Sequence, residues 1–251
     1  MSTTETYEQS ARYYDTAHEV MKSLGPDAKF YRDLAVESGG PVLELGCGTG
    51  RVLLPIAERG VACAGVDLSP AMLEQFRRKA GAEAVALTCA PMESFALGAQ
   101  RFPLIFSAFR AFQHLDTVDQ QLACLACVRA HLEPGGAFAF DVFNPKLERM
   151  ALASEPETMD LAFTYDGRPA KRFTSVTRDR VNQIMHVTNR YVEETTSGST
   201  ETIVHFTMRW FWRYELEHLL RRAGFDDVTI HGDFDRSPLG QNSPAFVVVA
   251  R

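Results

Sequence analysis

The chain has 251 residues, of which 45% are hydrophobic and 23% charged. That composition supports one substantial globular core and excludes disordered and fibrous classes. A formal net charge of −6, with no basic patch to offset it, argues against a nucleic-acid partner. Residues 1–10 are polar and no apolar run reaches membrane-spanning length, so the expectation is a cytoplasmic protein with no membrane partner.

Helices are expected over residues 4–22 and 27–38, separated by the breaker pair Gly25-Pro26. Residues 1–40 then form a lid-like helical preface. Next come a strand over 41–45, a glycine loop, a helix over 50–58, a strand over 61–66, a helix over 70–80 and a strand over 83–88. A strand over 102–107, a helix over 116–132, the turn Glu133-Pro134-Gly135-Gly136 and a strand over 137–142 continue the rhythm. Such alternation implies a parallel sheet covered on both faces.

Between about Met159 and Trp212 the pattern changes to alternating segments at 161–165, 171–180, 183–194 and 200–212. The turn signals Asp166-Gly167 and Ser197-Gly198 separate them, which reads as an inserted antiparallel β-sheet of three or four strands. A helix over 213–223 precedes strands at 225–231 and 245–250, an antiparallel edge hairpin. The fold class is α/β: a seven-stranded, mostly parallel sheet with an antiparallel last strand, plus the insert. Residues 41–150 and 213–251 make the core domain, and 151–212 the inserted sheet.

Five cysteines, odd in number and set in apolar stretches, fit a reducing compartment. Cys124, Cys127 and His131 share one helical face, but zinc wants four ligands and no second cluster accompanies them. No metal is expected, and the three are assigned to helix packing.

The segment Glu44-Leu45-Gly46-Cys47-Gly48-Thr49-Gly50 follows an apolar strand and opens a helix. In that setting glycines allow a ligand to approach bare backbone. Asp67 ends the next strand, 21 residues beyond Gly46, where a carboxylate can accept hydrogen bonds from ribose hydroxyls. Asp67 as a plain helix cap is the alternative, though Ser69 already stands at the cap position before Pro70. A dinucleotide site would need glycine at the sixth position from Gly46, where Arg51 stands, which counts against an NAD-dependent oxidoreductase.

These residues resemble the class I S-adenosylmethionine-dependent methyltransferases of small-molecule type. The strand and loop Val42-Leu43-Glu44-Leu45-Gly46-Cys47-Gly48-Thr49-Gly50 read like the family's first motif, and Val66-Asp67-Leu68-Ser69-Pro70 like its second. Pro91-Met92-Glu93 stands at the third, and Leu132-Glu133-Pro134-Gly135-Gly136 resembles the turn before strand five. The resemblance implies a Rossmann-like fold, S-adenosylmethionine as cofactor and S-adenosylhomocysteine as product. It places Gly46, Cys47, Gly48 and Gly50 along the methionine end, Glu44 at the amino group and Asp67 at the ribose. Leu68 and Met72 flank the adenine, Met92 and Glu93 meet the base edge, and Ser107 and Phe109 lie near the methyl group.

Methyl transfer needs an aligned, deprotonated nucleophile, so a nearby titratable group is the expected helper. His114, which follows the fourth core strand, is the first candidate, with a loop histidine capping the next helix as the alternative. Arg110 is read as a partner for an acidic substrate group or as a solvated surface residue, and Tyr14 matches a tyrosine such enzymes place over the cofactor, with a core aromatic of an amphipathic helix as the alternative. The insert is expected to cover a small-molecule acceptor or to form a homodimer contact. It carries eight Lys/Arg against six Asp/Glu between Met159 and Arg213, too balanced for a nucleic-acid surface. Strand four ends in Ser107-Ala108-Phe109-Arg110, without the Asn/Asp-Pro-Pro-aromatic run of nucleic-acid amino methylases. A non-catalytic cofactor-binding protein is the remaining alternative, against which stands an intact glycine loop.

Overall fold

A computed structural model describes residues 3–21, 25–196 and 198–251; Lys22, the expected end of the first helix, and Ser197 of the second turn signal lie outside them. After helices α1 (Thr3–Glu19) and α2 (Pro26–Ser38) come strands β1 (Val42–Leu45), β2 (Cys63–Asp67), β3 (Val85–Cys89), β4 (Phe102–Ser107) and β5 (Leu132–Phe143). The intervening helices are α3 (Leu53–Ala57), α4 (Pro70–Arg77) and α5 (Val118–His131). A short α6 (Leu147–Met150) leads into the insert, β6 (Ser154–Tyr165), β7 (Arg168–Asp179), β8 (Ile184–Thr195) and β9 (Gly198–Arg209). Helix α7 (Arg213–Arg222), β10 (Val228–His231) and β11 (Ala245–Ala250) close the chain.

The main sheet has the order β10-β11-β5-β4-β1-β2-β3, and the insert forms a separate sheet β6-β7-β8-β9. Strands β1 to β5 pair in parallel, whereas β11 runs antiparallel to both β5 and β10. Strand β1 lies between β2 and β4, so the chain order reverses there, and open α/β sheets bind ligands at the carboxyl ends of strands at such a switch point.

Both faces of the main sheet are buried, which is why its strands are nearly continuous apolar runs. On β5, Phe138, Phe140 and Val142 join one apolar cluster, while Ala137 and Ala139 join the other. Strand β11 splits the same way, with Phe246 and Val248 on one face and Val247 and Val249 on the other. Period-two alternation therefore fills two cores from single strands.

Several boundaries differ from the sequence expectation, each for a local reason. Helix α3 begins at Leu53 because Gly50, at φ +83°, cannot belong to a right-handed helix. Strand β3 starts at Val85, after a 3-10 turn over Ala82–Ala84. The expected turn at residues 133–136 is instead part of β5: the strand pairs from Leu132, and Gly135 at φ +80° absorbs a register shift opposite Phe102 and Leu104. The insert begins at Ser154, earlier than Met159, and its edge strand β6 seats Pro156 inside a register shift, where no ladder N–H is required. Strand β10 starts at Val228, since the Asp226 and Asp227 N–H groups both donate to the Arg251 carbonyl.

His131 ties α5 to the loop after β3. Its Nδ1–H donates to the Cys127 carbonyl at 2.8 Å, and its Nε2 accepts from the Leu97 N–H at 3.1 Å. Both ring nitrogens are consumed by backbone, and among the described residues no group of three metal-ligating side chains comes together. No described helix is long and apolar enough to cross a membrane.

Candidate functional site

A cavity of about 850 Å³ opens at the switch point, between the carboxyl ends of β1, β2 and β4 and one face of the inserted sheet. Its size is near the top of the range for a single ligand pocket, with room for a cofactor and an acceptor side by side. On the sheet side it is lined by Glu44, Gly46, Cys47, Gly48, Asp67 and Leu68. A Cβ on Gly46 would stand 2.8 Å from the Ala111 Cβ, so only glycine lets the loop pass there, whereas a Cβ on Gly48 would meet nothing within 4 Å. Asp67 accepts from the Gly48 N–H at 2.7 Å and from the Ser69 N–H at 2.9 Å, and burial still pushes its carboxyl above the usual range. Oε2 of Glu44 is buried without a partner, and burial pushes this carboxyl well up as well.

Helix α1 forms the roof. Tyr7, Ser10, Tyr14, His18 and the following Met21, at spacings of 3, 4, 4 and 3, all line the cavity as one helical stripe. On the opposite side, Tyr13 stacks on Tyr191 of β8, with ring centroids 4.9 Å apart. Asp15 fastens the helix to the glycine loop: it accepts from the Thr49 hydroxyl at 2.6 Å and pairs with Lys79 at 2.8 Å. The stripe faces inward because both flanks of the helix are anchored.

Two histidines in this layer are held neutral. His114 donates from Nδ1 to the Thr207 carbonyl at 2.8 Å, which leaves Nε2 to accept the Tyr7 hydroxyl at 2.8 Å. Burial holds His114 below its ordinary pKa and lifts Tyr7 well above its own. His18 donates from Nδ1 to the Tyr14 carbonyl at 2.6 Å and stacks on the Tyr14 ring at 3.8 Å. Burial lowers His18 to about 4, and its Nε2 has no partner.

The loop after β4 is set by Asp141 of β5. This buried carboxylate accepts from the Tyr31 hydroxyl at 2.7 Å, the Phe109 N–H at 2.9 Å and the Arg110 N–H at 3.2 Å. Those bonds hold Phe109 and Arg110 at φ +54° and +64°, a conformation side chains rarely adopt. Burial raises Asp141 to about 6. Asp141→Ala would strand the Phe109 and Arg110 N–H groups and leave the Tyr31 hydroxyl only a long 3.4 Å bond to the Ser107 carbonyl, and each buried unpaired donor costs roughly 1–3 kcal/mol. We expect a melting temperature lower by at least several degrees, measured by circular dichroism, with Asp141→Asn losing less.

The sequence over residues 42–136 matches the family model described as "Methyltransferase domain". Along 84% of this chain and 82% of the relative, it is 24% identical to the cypemycin N-terminal methyltransferase of a Streptomyces species. The fold superposes on the CcbJ methyltransferase of Streptomyces caelestis with a TM-score of 0.81 and 28% identity, covering 100% of this chain and 99% of that one. It also superposes on S-adenosylmethionine-bound CalS10, an amino pentose methyltransferase of Micromonospora echinaspora involved in calicheamicin biosynthesis. There the TM-score is 0.74 and the identity 25%, over 95% of this chain and 96% of that one. The chain is a class I S-adenosylmethionine-dependent methyltransferase.

In this methyltransferase Glu44, Gly46, Cys47, Gly48, Asp67, Leu68, Met72, Met92, Phe109, Arg110, Tyr14 and His114 come together around the one cavity. Gly50, Ser107 and Glu93 do not line it. Gly50 is a packing glycine, since a Cβ would stand 2.6 Å from the Phe76 ring. The Ser107 hydroxyl is spent on the Leu45 carbonyl at 3.1 Å, joining β4 to β1, and the Glu93 carbonyl accepts the Cys127 thiol. Sequence reasoning missed Tyr7, His18 and Arg51, along with the inward face of the insert. Tyr7 and His18 were detectable, because they share the helical stripe of Tyr14; Arg51 gave no signal, and its partner Asp27, at 2.5 Å, lies in α2.

Proposed function

We propose that this methyltransferase transfers a methyl group to a small-molecule acceptor, at an amine nitrogen, with a hydroxyl oxygen as the second reading. The observation that carries this is one cavity walled on one side by the glycine loop and Asp67 and on the other by the inserted sheet. Two of the similar proteins are named as an N-terminal and an amino pentose methyltransferase, and both names describe acceptors that bear an amino group. On this reading residues 41–150 and 213–251 hold the cofactor, residues 1–40 are a lid and residues 151–212 cover the acceptor. The protein works in the cytoplasm on a diffusible metabolite, neither nucleic acid nor lipid, as a monomer or as a homodimer through the insert.

S-adenosylmethionine supplies an electrophilic methyl group on a sulfonium. Its fit to this chain rests on the unpartnered Glu44 oxygen, which lacks a cation, and on the open space at Gly48. Gly46, Cys47 and Gly48 would hold the amino-acid end, Glu44 the ammonium and Asp67 the ribose hydroxyls, with Leu68, Met72 and Met92 against the adenine. Helix α1 and the insert exclude water and align the nucleophile, which is most of what an in-line displacement requires. The Tyr7 hydroxyl can take a proton from the acceptor as its own passes to His114 Nε2.

Calorimetry with S-adenosylmethionine and with NADH tests the cofactor half: the first should bind and the second should not. Transfer of labelled methyl to a panel of amino sugars, amino acids and phenols tests the acceptor half. Label passing to protein or nucleic acid in preference to every metabolite would sink the small-molecule reading.

A further inference from the structure

The cavity carries a local excess of positive charge at the end bounded by β7, α6 and the loop after β4. Of its carboxylates, Glu44 and Asp67 belong to the ends of β1 and β2, and Asp160 pairs with Arg172 at 2.7 Å. Arg110, Lys146, Arg149 and Arg178 also line the cavity. Arg149 pairs with Glu155 at 2.8 Å, and Arg178 pairs with the same carboxylate. Two guanidinium groups thus share one acid, while Arg110 and Lys146 form no ion pair among the described residues. Arg110 lies instead over the Phe143 ring, 5.8 Å from its centroid.

Arg178 gives the second, independent observation. Its side chain is only 1% exposed, and its Nε–H is buried without an acceptor. Seven buried side-chain atoms lack a partner among the described residues, and those that belong to cavity-lining residues are on Glu44, His18 and Arg178. Glu44 and His18 need a donor or a cation, whereas Arg178 needs an acceptor. Burial and the neighbouring Arg149 hold the Arg178 guanidinium below its ordinary pKa, the expected effect of a like charge with too little counter-charge. A guanidinium stays ionised under these conditions, so the missing element is an anion.

We propose that this end of the cavity binds an anionic group of the acceptor, a carboxylate or a phosphate, through Arg178, Arg149, Lys146 and Arg110. The proposal rests on the reading that the insert walls the acceptor side. It makes the acceptor bifunctional, with its nucleophile near Tyr7 and its anion on the far wall. Oriented N–H donors on planar guanidinium groups suit oxyanions of either kind, and each charge-assisted bond is stronger than a neutral one.

The test uses the full chain saturated with S-adenosylhomocysteine, titrated calorimetrically with sodium phosphate and, separately, sodium acetate at constant ionic strength. Saturable binding of at least one anion is expected, and the tighter of the two identifies the group. Because Lys146 and Arg149 are exposed, the double variant K146Q/R149Q should fold with an unchanged melting temperature and bind the anion about 10-fold more weakly. Arg59→Gln, an exposed arginine outside the cavity, should leave binding as it is. Normal S-adenosylhomocysteine binding with no anion binding, or with equal anion affinity in the double variant, overturns the anion subsite alone. Failure of S-adenosylhomocysteine to bind overturns the cofactor reading beneath it.

Discussion

Gly48→Val should abolish S-adenosylmethionine binding while leaving the fold in place. The glycine sits at φ +53° on the cavity wall, and a Cβ there would meet no protein atom within 4 Å. The valine therefore has nothing to displace in the free protein, and its cost is the strained backbone, roughly 1–3 kcal/mol. Its two methyl groups would fill the space into which the loop presents its backbone, and the Asp67 bond to the Gly48 N–H would lose its geometry. Calorimetry should show an affinity loss of about 100-fold or more, which is about 2.8 kcal/mol at 1.4 kcal/mol per factor of ten. Gly50→Ala is the contrast: its Cβ would collide with the Phe76 ring at 2.6 Å, so the melting temperature falls first. If Gly48→Val bound the cofactor like the unaltered protein, the glycine loop would not be the cofactor site.

The contrast between these two glycines shows what a sequence can reveal. Gly46, Gly48 and Gly50 look alike in a motif, and only packing separates the two that line the cavity from the one that admits Phe76. The main sheet was legible because buried parallel strands are continuous apolar runs between helical periods, as β4 and β11 illustrate at their expected boundaries. The insert was legible as alternating segments, but its first strand is longer than the sequence suggested, since β6 pairs with β7 from Ser154 onward, and its last, β9, ends at Arg209 and not at Trp212. Half of the site was hidden because it depends on register. Arg172, Thr174, Val176 and Arg178 alternate along β7 and reach the cavity only because of how β7 pairs with β8. Tyr7 and His114 are 107 residues apart, and no local pattern announces a hydrogen bond between them.

That hydrogen bond sets the largest expected effect on turnover. His114, read alone, is a general base, but both its ring nitrogens are engaged, Nδ1 by the Thr207 carbonyl and Nε2 by the Tyr7 hydroxyl. On the proposed reading it would take a proton from an acceptor only through Tyr7, the two residues acting as one unit with Tyr7 toward the cavity. Tyr7→Phe keeps the ring but removes the relay, and should lower kcat about 10²-fold with the best acceptor of the panel, the lower end of general-base contributions. His114→Phe should fall as far, and the double variant little further, because residues that serve one proton transfer are not additive. S-adenosylhomocysteine affinity should stay unchanged in all three, since the carboxylates and glycines proposed to hold the cofactor are untouched. Burial keeps His114 neutral, so in the unaltered enzyme the relay should fail only on the acid side of neutrality, where the imidazole gains its proton and the rate declines. Additive losses in the double variant would show that the tyrosine and the histidine serve separate steps.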